Sequence, residues 1–339
     1  MEIAVALSGG IDSAMAAHLL KEEGHSVWAI TMVHHRRTEE TLDRVKRVAE
    51  ILNIPLEVVE MREVFQREVL SPFAEAYARG LTPNPCPLCN RRVKLGILMK
   101  RAMAKGADKM ATGHYARVVE KDDGPHLIKG KDLRKDQSYF LALLTREQLE
   151  HLILPIGEWT RQEVEVMAKK LGLWEKGLKS SQEICFLQGH YTQLLKEIGI
   201  DPGPGPIKDL NGKTLGTHKG YTHYTIGQRR GLGIAAGRPL YIVKIIPQEN
   251  TVIVGPPEAL MAEKVQLSYV HWIHTPPGSP PWKLKVKIRY RHREAPALVK
   301  DHGRTISFHT PQRAPTPGQL AVFYEEDEVL GGGQIQEVF

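Results

Sequence analysis

Five apolar residues in succession, Ile3-Ala4-Val5-Ala6-Leu7, stand at the start of the chain. An unbroken run of this kind reads as a strand buried on both faces of a parallel sheet. Further strands are read at residues 27–32 and 56–59, with a shorter one at 109–112. Between them the period changes. Residues 13–20 read as a helix, and residues 41–52 bring Leu42, Val45, Val48, Ala49 and Leu52 to one helical face. Residues 63–78 and 91–105 read as further helices. The alternation predicts an α/β fold built on a doubly wound parallel sheet. Ligands of such sheets bind beyond the carboxyl ends of the strands. The loop at 8–13, Met32 and Gly113-His114 all fall there.

Beyond residue 150 the pattern shifts. Thr160-Arg161-Gln162-Glu163 is a capping box that opens a helix over 162–171. Asp201-Pro202-Gly203-Pro204-Gly205-Pro206 excludes helix and central strand, so a boundary falls near residue 197. The expected domains are residues 1–197, α/β; 198–263, small and mostly β; and 264–339, a β-barrel. Within the last, residues 283–293 alternate strictly. Lys283, Lys285, Lys287, Arg289, Arg291 and Arg293 would share one face of a strand, opposite Leu284, Val286 and Ile288. Six cations in a row suit a phosphate backbone. The competing reading is an edge strand guarded by charge against aggregation.

Composition sharpens this picture at two points. The 339 residues carry a net charge of +7 and a pI near 9.2, consistent with a polyanionic partner. The chain has three cysteines, too few and too odd in number for a disulfide framework. No apolar run is long enough to span a bilayer and no signal peptide precedes the first strand, so the expected location is cytoplasmic, without membrane contact.

The first strand leads into Ser8-Gly9-Gly10-Ile11-Asp12-Ser13. Two glycines admit a ligand close to the backbone, and the N–H groups of the following helix favour an anion. The plain alternative is a tight turn in which Ser or Asp caps the helix. No lysine follows, which disfavours an ordinary phosphoryl-transfer loop. The motif resembles the pyrophosphate loop of the ATP pyrophosphatases, whose fold is that of the adenine nucleotide α-hydrolases. That resemblance implies ATP cleaved between its α and β phosphates, with Asp12 helping to hold Mg²⁺.

Cysteines provide the second motif. Asn84-Pro85-Cys86-Pro87-Leu88-Cys89-Asn90 reads as a Pro-stiffened loop before a helix beginning near Arg91, where a thiolate would gain a lowered pKa. Cys185 follows far away, in Ile184-Cys185-Phe186. With Ala111-Thr112-Gly113-His114-Tyr115, Lys135-Asp136-Gln137-Ser138-Tyr139-Phe140, the run from Gly227 to Gly233 and Thr316-Pro317-Gly318-Gln319, these pieces resemble the tRNA-specific 2-thiouridylases along nearly the whole chain. The resemblance implies ATP-dependent 2-thiolation of the wobble uridine of tRNA through an O2-adenylate. Ala6, Leu7, Ser8, Gly9, Gly10, Ile11, Asp12, Ser13, Met32 and Gly113 would contact ATP. Asn84 and Pro85 would lie beside the target base. His114, Asp136, Gln137, Ser138, Arg289, Tyr290 and Gln319 would contact tRNA. Cys89 and Cys185 would be the catalytic cysteines.

At one position the chain departs from the family pattern: Cys86 stands where Asp is familiar. Two sulfur chemistries are therefore open. In one, Cys185 accepts a persulfide from a cysteine desulfurase or relay protein. Its outer sulfur attacks C2, AMP leaves, and Cys89 resolves the S–S bond. In the other, Cys86, Cys89 and Cys185 ligate a 4Fe-4S cluster with one iron open to hydrosulfide, so that free sulfide could serve as donor. Zinc is a third, weaker option, with His114 a conceivable fourth ligand. Two further classes compete with tRNA thiolation: an adenylate-forming synthetase acting on a small molecule, and a non-catalytic RNA-binding protein with a structural metal site. His34-His35-Arg36-Arg37 reads as a solvated loop. The run from Gly227 to Gly233 reads as a linker or hairpin turn.

Overall fold

A computed structural model describes residues 1–34, 39–173, 184–187 and 190–339. Two compact units are present. The first comprises Met1–Val69, Pro85–Phe186 and Glu325–Leu330; the second, Leu70–Asn84, Leu187–Tyr324 and Gly331–Phe339.

The first unit holds strands β1 (Glu2–Ala6), β2 (Ser26–Val33), β3 (Leu56–Glu60), β4 (Lys109–Ala111), β5 (Ala116–Lys121), β6 (Gly124–Lys129) and β7 (Leu152–Ile153). Five form a sheet in the order β3-β2-β1-β4-β7, and every pairing is parallel. The doubly wound parallel sheet expected from the apolar runs is therefore observed. Central β1 pairs on both sides, with Val5 level with Ala29 and Ala111. Helices α1 (Ile11–Glu22) and α2 (Glu39–Ile51) follow β1 and β2. Met15, Leu20, Val45 and Val48 join Ile3, Val5 and Leu7 in one buried cluster, to which Val164 and Ala168 also contribute. Each large apolar side chain so buried contributes roughly 1.5–3 kcal/mol.

Two predicted helices differ in detail. The first is continuous but wound in three ways: Arg62–Phe65, a π segment Gln66–Leu70, and Ser71–Ala78. The second starts six residues early, at Pro85 rather than near Arg91. Its segments are Pro85–Cys89, a π stretch Asn90–Leu98, and Met99–Ala104. A proline in the first helical turn lacks an N–H that would have no intrahelical partner anyway. Pro85 and Pro87 therefore begin this helix rather than stiffen a loop.

The second unit contains a four-stranded sheet of β8 (Gly205–Lys208), β9 (Thr214–His218), β10 (Tyr241–Ile246) and β11 (Thr251–Gly255), in the order β10-β11-β8-β9. Then come β12 (Met261–Trp272), β13 (Trp282–Lys287), β14 (Ala295–Lys300), β15 (Thr305–Arg313), β16 (Leu320–Glu325) and β17 (Glu328–Val338). Their order is β12-β15-β14-β13-β16-β17, and a β12–β17 pairing closes the ring. The expected barrel is thus a closed one. Interior to it are Val286, Ala297, Val299, Ile306, Ala321 and Phe323, all at most 1% exposed.

The basic strand is shorter than predicted. β13 stops at Lys287, and residues 288–294 turn into β14, with His292 N–H donating to Arg289 O. Only Lys283, Lys285 and Lys287 share its outer face, with Leu284 and Val286 buried opposite. Arg289, Arg291 and Arg293 belong to the turn. Nor is β13 an edge: it pairs with both β14 and β16. Guarding a sheet edge therefore does not explain its lysines. Among the described residues, no helix is long and apolar enough to cross a membrane.

Candidate active site

The glycine loop leaves β1 with the N–H and the carbonyl of Leu7 both held by β2. Leu7 N–H donates to Ile30 O, and Thr31 Oγ1 donates to Leu7 O at 2.8 Å. Gly9 takes φ +80°, which an L side chain adopts only under strain. A Cβ there would also meet Val45 Cγ2 at 3.2 Å. Gly10 is the N-cap of α1, and no side chain caps it. The reading of the loop as a Ser- or Asp-capped turn therefore fails. Ser13 Oγ instead binds back within the loop, donating to Gly10 O at 3.0 Å and accepting from Ser8 N–H at 3.1 Å. The α1 N-terminus keeps its anion-favouring character.

Met32 near the end of β2 and Gly113 just after β4 share this carboxyl end of the sheet. Gly113 presses on the loop itself. A Cβ at this position would lie 2.5 Å from Asp12 C and 2.6 Å from Ser13 N. Glycine is required here by space, not by dihedral angle.

Asp12, in the first turn of α1, meets two donors that the sequence did not single out. Its Oδ1 accepts from Tyr115 OH at 2.9 Å and from Arg161 Nη1 at 2.5 Å. Burial pushes the Asp12 carboxyl upward, while Arg161 and the Tyr115 hydrogen bond pull it down. Arg161 begins the helix Arg161–Lys170, whose predicted capping box between Thr160 and Glu163 is present. The box was legible in the sequence. The reach of Arg161 across 149 positions was not.

Cys86 and Cys89 lie on one helical turn, half-buried and buried respectively; Cys185 is exposed. Cys185 is close enough for its charge to bear on both. Its neighbour Phe186 is buried and packs edge-on against Phe65, ring centroids 5.5 Å apart. Phe65 in turn stacks on His34 at 4.7 Å, so buried His34 is a packing residue rather than part of a solvated loop. His35, Arg36 and Arg37 lie outside the described residues. The expected lowering of a cysteine pKa is reversed. Burial pushes the thiols of Cys86 and Cys89 up to about 12, outweighing the attraction of Lys94. His114 is driven well below its usual range by burial and by Lys94; its Nδ1 bonds Thr112 Oγ1 at 2.7 Å.

Several expected RNA contacts have structural partners. Buried Asp136 accepts from Gly130 N–H and Ser138 N–H, each at 3.1 Å, and from Ser138 Oγ at 2.9 Å. Gln137 Oε1 accepts from Tyr115 N–H at 3.0 Å. In the second unit, the Arg289 guanidinium donates to Ile226 O and to Thr316 Oγ1, tying two loops together. Gln319 Nε2 donates to Thr82 O at 2.6 Å, two residues before Asn84. Tyr290 sits in the turn after β13 with Lys287 Nζ 5.8 Å from its ring centroid.

Comparison with known proteins accords with this layout. Three family models match in succession: tRNA methyl transferase HUP domain over residues 1–189, tRNA methyl transferase PRC-barrel domain over 192–256, and aminomethyltransferase beta-barrel domain over 262–335. A tRNA-specific 2-thiouridylase of Syntrophomonas wolfei is 44% identical over 340 residues, covering 99% of this chain and 100% of the relative. One from Carboxydothermus hydrogenoformans is 42% identical over 356 residues, covering 99% and 98%. Among solved structures, a U34-tRNA thiolase of Methanococcus maripaludis with its [4Fe-4S] cluster aligns with 58% of this chain and 64% of its own, at 19% identity and a TM-score of 0.35. A score that low has no bearing on the cysteines. The full-length matches do decide the family: the chain belongs to the tRNA-specific 2-thiouridylases.

Proposed function

We propose that this protein thiolates C2 of the wobble uridine of tRNA. ATP bound at residues 6–13, Met32 and Gly113 activates the base as its O2-adenylate, and AMP and pyrophosphate are released. The uncapped start of α1 suits the departing pyrophosphate. Mg²⁺ fits beside it. Asp12 is the one carboxylate of the loop, and a magnesium ion on a nucleotide takes its remaining oxygens from phosphates and water. In this reading residues 1–197 are the catalytic domain. Residues 198–263 and 264–339 hold the tRNA, with Lys283, Lys285 and Lys287 meeting its backbone.

Sulfur is delivered at the three cysteines. The observation that carries this reading is that Cys86 and Cys89 share one helical turn within electrostatic reach of Cys185. A 4Fe-4S cluster suits this donor set, because three cysteines give up their thiol protons to ligate three irons and leave the fourth iron without a protein ligand. Held by Cys86, Cys89 and Cys185, it would supply an iron open to hydrosulfide. The exposure of Cys185 favours a second reading, in which that residue accepts a persulfide from a donor protein.

The test is the visible spectrum, with iron and sulfide counts, of anaerobically purified wild type and Cys86→Ala. A brown wild type with about four irons and a colourless variant support the cluster. An iron-free wild type, even after anaerobic reconstitution, returns the chemistry to a Cys185 persulfide. Absence of tRNA-stimulated AMP release would overturn thiolation by adenylation altogether.

A further inference from the structure

We infer that Arg161 is a positioning residue of the nucleotide site: with Tyr115 it fixes one oxygen of Asp12, so that the other is presented to the nucleotide-bound metal. The inference rests on the ATP reading above and adds a residue to it.

The geometry is directional. Both donors converge on Oδ1, Tyr115 OH at 2.9 Å and Arg161 Nη1 at 2.5 Å. Among the described residues, Oδ2 accepts no hydrogen bond. A carboxylate held by one oxygen loses its rotation about the Cβ–Cγ bond and offers the second oxygen in a fixed direction. Metal sites commonly orient their ligands through such outer partners.

Arg161 is itself held at three points. Its backbone N–H donates to Asp132 Oδ2 at 3.1 Å, and its Nε donates to Glu165 Oε1 at 2.7 Å. The Thr160–Glu163 capping box sets the helix start on which it sits. Only 13% of its side chain is exposed, so water screens its pair with Asp12 little. Tyr115 is similarly fixed, its N–H donating to Gln137 Oε1 and its carbonyl accepting from Gln137 N–H at 2.7 Å. A guanidinium gripped at Nε cannot swing freely, and lysine could not reproduce two separate directed bonds.

The test is calorimetric binding of ATP to the full-length protein, across a Mg²⁺ titration and with the metal chelated, for wild type, Arg161→Gln, Arg161→Lys and Tyr115→Phe. Arg161→Gln should raise the Mg²⁺ needed for half-maximal binding by about tenfold, while metal-free affinity changes little. Arg161→Lys should recover part of the loss, and Tyr115→Phe should shift the requirement in the same direction by less. Tyr115→Phe also reports on the same carboxylate if Arg161→Gln fails to fold. An unchanged requirement overturns the inference. So does an equal fall with and without metal, which marks a structural role, or a lowered requirement, which marks competition between Arg161 and the ion. Wild type that binds ATP beside an unaffected variant sinks only this inference. Wild type that binds no ATP sinks the nucleotide reading with it.

Discussion

Gln148 Nε2 lies 2.7 Å from Arg91 O and 2.7 Å from Leu95 O, so one side chain serves two carbonyls of the π stretch behind the cysteines. The same residue completes a capping box, its Oε1 accepting from Thr145 N–H at 3.0 Å. A π turn widens the helix and turns carbonyls from their usual partners. Gln148→Ala should therefore cost about 1–3 kcal/mol in urea unfolding, since it strands acceptors rather than merely deleting a bond. Gln148→Glu should cost more, because a carboxylate would face two carbonyl oxygens. Wild-type stability in both variants would mean the π stretch does not depend on this side chain.

What the sequence revealed and what it concealed divide along a physical line. The parallel sheet was legible because a strand buried on both faces must be apolar throughout, as Ile3 to Leu7 are. The Thr160 capping box was legible because its members are three residues apart. Cys86 and Cys89 drew notice by spacing, yet their expected acidity was wrong. A helix start argues for lowered thiol pKa values; burial, invisible in a motif, overrode it. The pairing of Arg161 with Asp12 escaped notice because it depends on packing of one helix against another. The six-cation face failed for a different reason. Alternation continues past Lys287, but Arg289 is needed elsewhere, at Ile226 O and Thr316 Oγ1.

That division of the basic segment makes two kinds of variant behave differently. Replacing Lys283, Lys285 and Lys287 together with alanine should leave the barrel folded. It should flatten the dependence of log tRNA affinity on log salt by about 0.7–0.9 per lysine that meets a phosphate. Arg289→Ala should instead lower stability by about 1–3 kcal/mol, because two acceptors lose a charged donor. Filter binding across a salt series and urea melts separate the two effects. If the triple variant keeps the wild-type slope, the outer face of β13 does not meet RNA.

Stability against acid should depend on Glu328. Its Oε1 lies 2.6 Å from His126 Nδ1 and its Oε2 accepts from Lys121 Nζ at 2.7 Å, with 14% of the side chain exposed. Burial alone would raise its pKa, yet the hydrogen bonds from Lys121 and His126 bring the net shift below the ordinary glutamate value. A carboxyl whose folded pKa is depressed contributes stability above its unfolded pKa and loses it as pH falls through the lower folded value. Glu328→Gln should therefore destabilise the protein at pH 7 by about 1–3 kcal/mol, the range for a bond to a charged group. The gap between wild type and variant should narrow as pH drops below about 4, near the ordinary glutamate value. Urea melts of both proteins at pH 7, 4 and 3 measure it. A gap that stays constant with pH would show that Glu328 acts through shape and not through its charge.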